Sequence, residues 1–281
     1  MNYYITGDIH GDFKDLKKRI LSSNIVAGDC LIILGDACFN FFRTKQDDAL
    51  KAKANEFGIT VFCIHGNHEI RPQNIASYRT KVWNGGRVWY QPEFPNILFA
   101  KDGEVYNING NKTLVIGGAY SVDKYYRAAR YYLSDFYDIP MYVFRPLLQI
   151  SAGDSVSEEE KRLVDKYLEK IKDTSIFKWW KDEQISDEDM KKINELIKEN
   201  NSFDLVLSHT CPQKFEPTEV FLPSVNQDDV DKRMENWLNE IELKINYKKW
   251  FAGHYHIDKV LNNGFEFLFG LVKKIEVKTN D

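Results

Sequence analysis

The chain has 281 residues, about what one large α/β domain uses, and its 43% hydrophobic and 28% charged residues exclude a collagen-like or largely disordered protein. Its 38 Lys plus Arg nearly balance 42 Asp plus Glu, leaving −4, so no general basic field serves nucleic-acid backbones or anionic membranes. No apolar run approaches the roughly 20 residues that a membrane helix requires.

The N-terminal third alternates strand and helix. NYYIT at 2–6 predicts a strand, and a chain that opens directly on it leaves no room for a signal peptide. Phe13, Leu16, Ile20 and Leu21 fall at helical spacing behind it. LIIL at 31–34 is a short apolar run of the buried-parallel-strand kind, followed by an Ala-rich helix at about 46–57 and by VFCI at 61–64 as another buried strand. This succession predicts βαβ units. From about 96 the rhythm changes. ILFA at 97–100, EVYNI at 104–108 and TLVIGG at 113–118 are separated by DG and NGN turn signals, which predicts a meander.

The connection 124–200 is long and reads as a helical cap insertion within one domain spanning 1–281, with the linker-like SAGDSVSEEE at 151–160 inside it. Ser157 and Glu160 form a capping box ahead of a stripe of Leu163, Val164, Tyr167, Leu168 and Ile171. Ser186 caps a helix carrying Met190, Ile193, Leu196 and Ile197. FDLVLS at 203–208 and KWFAG at 249–253 predict buried strands, with a helix near 228–243 between them and hairpin-like strands closing the chain. Cys30, Cys38, Cys63 and Cys211 are scattered without CxxC spacing, so free thiols in a cytoplasmic protein are the expectation.

Each cluster of reactive side chains follows one of these strands. Asp8 and His10 follow NYYIT in GDIHG; Asp36 follows LIIL in GDACFN; Asn67 and His68 follow VFCI in GNHE. His209 follows FDLVLS, and His254 and His256 follow KWFA in GHYH. Ligands of open α/β sheets bind outside the carboxyl ends of the strands, so the five ends converge. They deliver two Asp, one Asn and four His, with His68 beside them. Imidazole and carboxylate suit Mn, Fe, Zn or Ni, and a carboxylate bridging two ions is the means of activating water for attack on a phosphoryl group. His65, with no partner pattern, reads as structural, and Cys38 and Cys211 as packing residues.

The series GDIHG, GD, GNHE, H and GHxH, spanning 7–256, resembles the calcineurin-like metallophosphoesterase superfamily. The resemblance implies a four-layer α-β-β-α sandwich with two divalent metal ions, manganese foremost and Fe, Zn or Ni as alternatives. One ion would be held by Asp8, His10, Asp36 and His256, the other by Asp36, Asn67, His209 and His254, with Asp36 bridging. His68 matches the family histidine that binds phosphate and protonates the leaving oxygen. Where protein phosphatases of this family read GDxVDRG, the chain has GDACFN: Phe39 replaces the Asp that orients the histidine, and Asn40 replaces the Arg that grips phosphate. Asn40 itself, Arg43 or Arg71 would then contact the substrate. GGAYSVDKYYR and the later WWKDEQ are similar to metallophosphoesterases of bacteria and their phages.

The reading is therefore a metal-dependent phosphoric ester hydrolase acting on phosphomonoesters. A phosphodiesterase acting on nucleotides or nucleic-acid ends is the alternative, and a non-catalytic metal-binding scaffold the contrast from another class. A phosphoester, with nucleotides among the candidates, is the expected partner; neither a membrane nor a stable nucleic-acid complex is. Tyr120, Tyr125, Tyr126, Tyr131, Tyr132, Tyr137 and Tyr142, with Lys124, Arg127 and Arg130, offer either a surface that stacks a base or rings that pack the insertion, packing being the expectation for most.

Overall fold

Short apolar runs bounded by turn residues pair into two sheets in the computed structural model, which describes residues 1–135 and 139–277. The strands are β1 (Tyr3–Thr6), β2 (Cys30–Ile33), β3 (Thr60–Cys63), β4 (Arg79–Trp83), β5 (Gly86–Gln91), β6 (Phe94–Ala100), β7 (Val105–Ile108), β8 (Asn111–Ile116), β9 (Ser202–Ser208), β10 (Asn246–Ala252), β11 (Lys259–Val260), β12 (Phe265–Phe267) and β13 (Lys273–Ile275). The helices are α1 (Phe13–Ser22), α2 (Lys45–Asn55), α3 (Lys124–Asp135), α4 (Met141–Ser151), α5 (Glu158–Lys170), α6 (Asp187–Glu199) and α7 (Arg233–Glu242). One sheet runs β13-β1-β2-β3-β6-β5-β4 and the other β11-β12-β10-β9-β8-β7.

The layers follow from which side chains meet. Ile5, Ile32, Phe62 and Leu98 of the first sheet pack on Val115, Leu205, Leu207 and Phe251 of the second. The outer face of the first sheet, with Leu31, Val61 and Phe99, packs on Leu16 and Ile20 of α1 and Ala54 of α2. The outer face of the second, with Leu114, Val206 and Trp250, packs on Met190 and Ile193 of α6 and Met234, Trp237 and Leu238 of α7. Strands buried on both faces are largely apolar, which is why CLII of β2 and VFC of β3 read as continuous hydrophobic runs, while Asp204 within β9 accepts from the Lys112 amide at 3.0 Å. The result is an α-β-β-α sandwich.

Three details differ from the sequence reading. The meander does not form: β6 lies parallel to β3 in the first sheet, whereas β7 and β8 make a hairpin in the second. The turn at Asp102–Gly103 carries the chain from one sheet to the other. The β4–β5 hairpin was not anticipated, although Asn84 and Gly85, both with positive φ, form the Asn-Gly turn that announces such hairpins. The closing strand β13 pairs antiparallel with β1 rather than with its sequence neighbours.

The insertion contains a small core of its own. Tyr125, Ala128 and Tyr132 of α3 meet Val143 and Leu147 of α4, Val164 and Leu168 of α5, and Phe177 and Trp179. Because α6 packs on the second sheet, the separate helical unit ends before it, short of 200. Packing absorbs Tyr125 and Tyr132, whereas Tyr126 and Tyr142 are exposed and Tyr137 lies outside the described residues.

Candidate metal centre

The candidate ligands sit on turns where the strands run out. His10, Asp36, His254 and His256 all have left-handed backbones, with φ of 50°, 47°, 66° and 51°. Such a conformation costs a non-glycine residue on the order of 1–3 kcal/mol and clusters at functional sites. Here it turns each side chain off its strand axis toward a common point. Glycine permits the crowding: a Cβ on Gly66 would lie 2.0 Å from Asp36 Oδ1, and one on Gly35, at φ +98°, would lie 2.0 Å from His209 Nδ1.

Three overlapping groups of ligand atoms are built on Asp8 and Asp36. Asp8, His10 and His256 bring ligand atoms within 4.8 Å of one another, as do Asp8, Asp36 and His209, and His10, Asp36 and His68. His10 Nε2 and His256 Nε2 face each other at 2.8 Å. Asp8 Oδ2 is buried, and its polar neighbours include the rings of His256, with Nε2 at 3.3 Å, and His10, with Nε2 at 3.8 Å. A buried carboxylate is costly unless a positive charge completes it, and imidazoles beside it are themselves cation ligands. The residues present therefore fit a divalent ion.

The second group is oriented by the backbone. His209 Nδ1 lies 2.7 Å from the Leu34 carbonyl, an acceptor only, so Nδ1 carries the hydrogen and Nε2 faces the site. That Nε2 lies 2.9 Å from Asn67 Oδ1 and 3.6 Å from Asp36 Oδ2. Asn67 Nδ2 donates to Ser121 Oγ at 3.0 Å, which aims its oxygen inward. Asp36 Oδ1 accepts from the His68 amide at 2.7 Å, and Asp8 Oδ1 from the His254 amide at 3.0 Å.

Electrostatics keep the carboxylates charged. Burial pushes Asp36 up, but the neighbouring His68, His209 and His10 outweigh it and hold the carboxyl well below its ordinary value. Asp8 is likewise lowered, burial being outweighed by His256 and His209. Burial lowers His209, yet Asp36 and Asp8 raise it to about 9. Burial and then the charge of His209 push His254 down to about 3.

The sequence model of the calcineurin-like phosphoesterase family matches residues 1–258. The chain belongs to this family. No curated protein matches it. As a member, it is a phosphoester hydrolase by family, with a cluster of side chains suited to divalent metal. No helix among the described residues is long and apolar enough to cross a membrane.

Against the family pattern, the structure supplies a partner for the histidine that sequence reading did not assign. Arg127 Nη2 lies 2.9 Å from His68 Nδ1 and 3.0 Å from its Nε2. Arg127 is held in turn by Asp123, through Nε at 2.7 Å and Nη2 at 2.5 Å, and by the Lys178 carbonyl. Asp123 and Arg127 are four residues apart at the start of α3, so the pair is visible in the sequence as DKYYR. Its approach to His68 is tertiary and is not visible there. Burial, then the Arg127 charge, lowers the His68 imidazole against the pull of Asp36.

The three residues expected at the substrate lie elsewhere. Asn40 is buried, and its Oδ1 accepts from the Tyr78 hydroxyl at 2.9 Å. Arg43 pairs with Asp173 of the insertion at 3.0 Å. Arg71 is buried against Asp102 at 2.5 Å and donates to the Asp182 carbonyl at 2.6 Å. None of the three lines the cavity of about 500 Å³ that opens over His10, Asp36, Asn67, His68, His254 and His256. Asn40, Arg43 and Arg71 fix loops, because each already meets a partner of its own. His65 is buried with both ring nitrogens unpartnered, and burial followed by Arg71 holds it well below the ordinary histidine range.

Proposed function

We propose that the protein is a dinuclear metal-dependent phosphomonoesterase. The observation that carries this reading is the gathering of buried Asp8 and Asp36 with His10, His256 and His209, their ligand atoms within 4.8 Å of one another in overlapping groups. Asp8, His10, Asp36 and His256 would hold one ion, and Asp36, Asn67, His209 and His254 the other, with manganese the first candidate for this nitrogen and oxygen set. Such ions supply Lewis acidity, lowering the pKa of a water toward 7 and polarising a phosphoryl oxygen.

The chain's own groups do the rest. Asp36 takes its place through the His68 amide, so the same hydrogen bond fixes carboxylate and imidazole together. His68, whose Nε2 is 3.8 Å from Asp36 Oδ2, would contact the phosphoryl group and assist departure of the leaving alcohol oxygen once the bound anion restores its proton from solvent. Arg127 orients that ring and adds positive charge beside it, which suits the extra anionic oxygen of a monoester and favours monoesters over diesters. A diesterase is the second reading, supported by the cavity's room for another alcohol. The four buried, free cysteines support a reducing, cytoplasmic setting.

The test is dialysis against chelator, metal analysis, reloading with manganese, and assay on p-nitrophenyl phosphate and bis(p-nitrophenyl) phosphate. Loss and recovery of monoester hydrolysis with two metals per chain is expected. Preference for the bis ester would favour the diesterase, and two bound metals without turnover the scaffold.

A further inference from the structure

The wall of the cavity facing the metal ligands is apolar and continuous with them. Tyr255, between His254 and His256, packs its ring on His254 at 4.9 Å and stacks on Phe221 at 6.2 Å. Beyond Phe221 the wall continues through Val220, Leu222, Val225 and Val230. Leu222 is 54% exposed, unusual for a leucine with so much apolar company. A second cavity of about 340 Å³ adjoins the first, sharing Tyr120, Val122, Asp123, Leu222, Val225 and Val230 and ending at Tyr126 and Ile150 of the insertion. The segment that carries this wall is held by Pro212, Pro217 and Pro223 and by the Lys259–Glu219 ion pair, so the groove is pre-shaped.

Its charges argue against a polyanion. Lys232 is the one Lys or Arg on either lining among the described residues, and it is paired with Glu216 at 2.7 Å and sits over the Phe221 ring at 4.9 Å. Asp154 adds an acidic group along the groove, while Asp229 is paired with Lys161 at 2.7 Å and buried Glu235 accepts from Thr210 at 2.7 Å. Tyr255 donates its hydroxyl to Glu216 at 3.0 Å, so that carboxylate already holds two donors.

We infer that this groove receives the alcohol portion of the ester, and that the preferred substrates are phosphoesters of uncharged, apolar alcohols, alkyl or aryl. The inference rests on the phosphoesterase reading, because the groove gains its meaning from a phosphoryl group held at the metal ligands. An apolar chain running from there past Tyr255 and Phe221 leaves water all along its length, whereas further phosphates or acidic side chains would find no free Lys or Arg among the described lining residues and Asp154 at the far end.

The test uses manganese-loaded protein and n-alkyl monophosphates from ethyl to octyl, whose leaving alcohols have nearly equal acidity. Each added methylene is expected to raise kcat/KM by about two- to fourfold until the groove is filled, the ratio set by moving a methylene out of water. Phe221→Ala and Val225→Ser are expected to reduce the hexyl-to-ethyl ratio by about tenfold. A flat series in the wild type, or a nucleotide or acidic phosphopeptide cleaved with a higher kcat/KM than hexyl phosphate, overturns the inference while leaving the phosphoesterase intact. Absence of turnover on every ester, p-nitrophenyl phosphate included, overturns both.

Discussion

Asp36 combines two demands that a substitution can separate. Its Oδ1 accepts the His68 amide, and its Oδ2 lies 3.6 Å from His209 and 3.8 Å from His68. Asp36→Asn keeps a hydrogen-bond acceptor but removes the charge that both halves of the proposed centre would share. Metal content is expected to fall below two per chain, and kcat/KM to fall beyond the 10- to 100-fold typical of losing an outer partner. Metal analysis with steady-state kinetics checks this. Arg127 supports a different expectation. Arg127→Ala should retain both metals and lose about 10- to 100-fold in kcat with little change in KM. Arg127→Lys should not restore it, because an ammonium cannot span Asp123 and His68 as the planar fork does. Recovery of kcat in Arg127→Ala by added guanidinium would identify the missing group. Full activity of the lysine variant would reduce Arg127 to a charge.

At the scale of elements, the turns after the strands set the site, and glycine makes them passable. Gly66→Ala places a Cβ 2.0 Å from Asp36 Oδ1 and 2.2 Å from its amide nitrogen, with backbone rather than a flexible tip in the way. The expected cost is about 3 kcal/mol or more, together with loss of metal, read by urea denaturation and metal analysis. These turns were legible in the sequence because their strands are short, apolar and buried, and because every ligand-bearing residue follows one directly. What escaped has physical reasons. The helix α4 begins after Pro140 and carries Pro146 inside, so its sequence signals a break where the structure continues. ILFA and EVYNI are neighbours in sequence, yet local turn signals do not tell a hairpin from a crossing between sheets. The role of Arg127 depends on α3 lying over His68, a contact across 59 positions that no local pattern encodes.

For the whole molecule, stability should fall as pH rises through the neutral range. Glu183 and Glu235 are buried, and burial raises each from an ordinary 4.5 to about 7, outweighing the bonds from Ser121 and Thr210. Their folded pKa values lie above the unfolded ones, so the stability they confer is complete below about 4.5 and is lost as pH rises through about 7. Each accounts for on the order of 2 kcal/mol between pH 5 and 8. Urea midpoints measured over that range at fixed metal should decline for the wild type and decline less for Glu183→Gln with Glu235→Gln. Equal slopes would mean that both carboxyls titrate normally.

The far end of the chain adds a consequence for biosynthesis. β13 pairs with β1, Phe269 stacks on the His256 ring at 4.6 Å, and the Phe269 carbonyl accepts from buried Arg19 at 2.5 Å. His10 and His256, whose ring nitrogens meet, are 246 positions apart. At about 5–20 residues per second, the first emerges from the ribosome tens of seconds before the second. Until residue 209 emerges, a nascent chain offers at most Asp8, His10, Asp36 and Asn67 of the proposed ligands, an open set with little power to choose among cations. Discrimination between metals would, on the proposed ligand set, wait for His209, His254 and His256, and a ribosome stalled before residue 209 is expected to hold the form most exposed to the wrong ion.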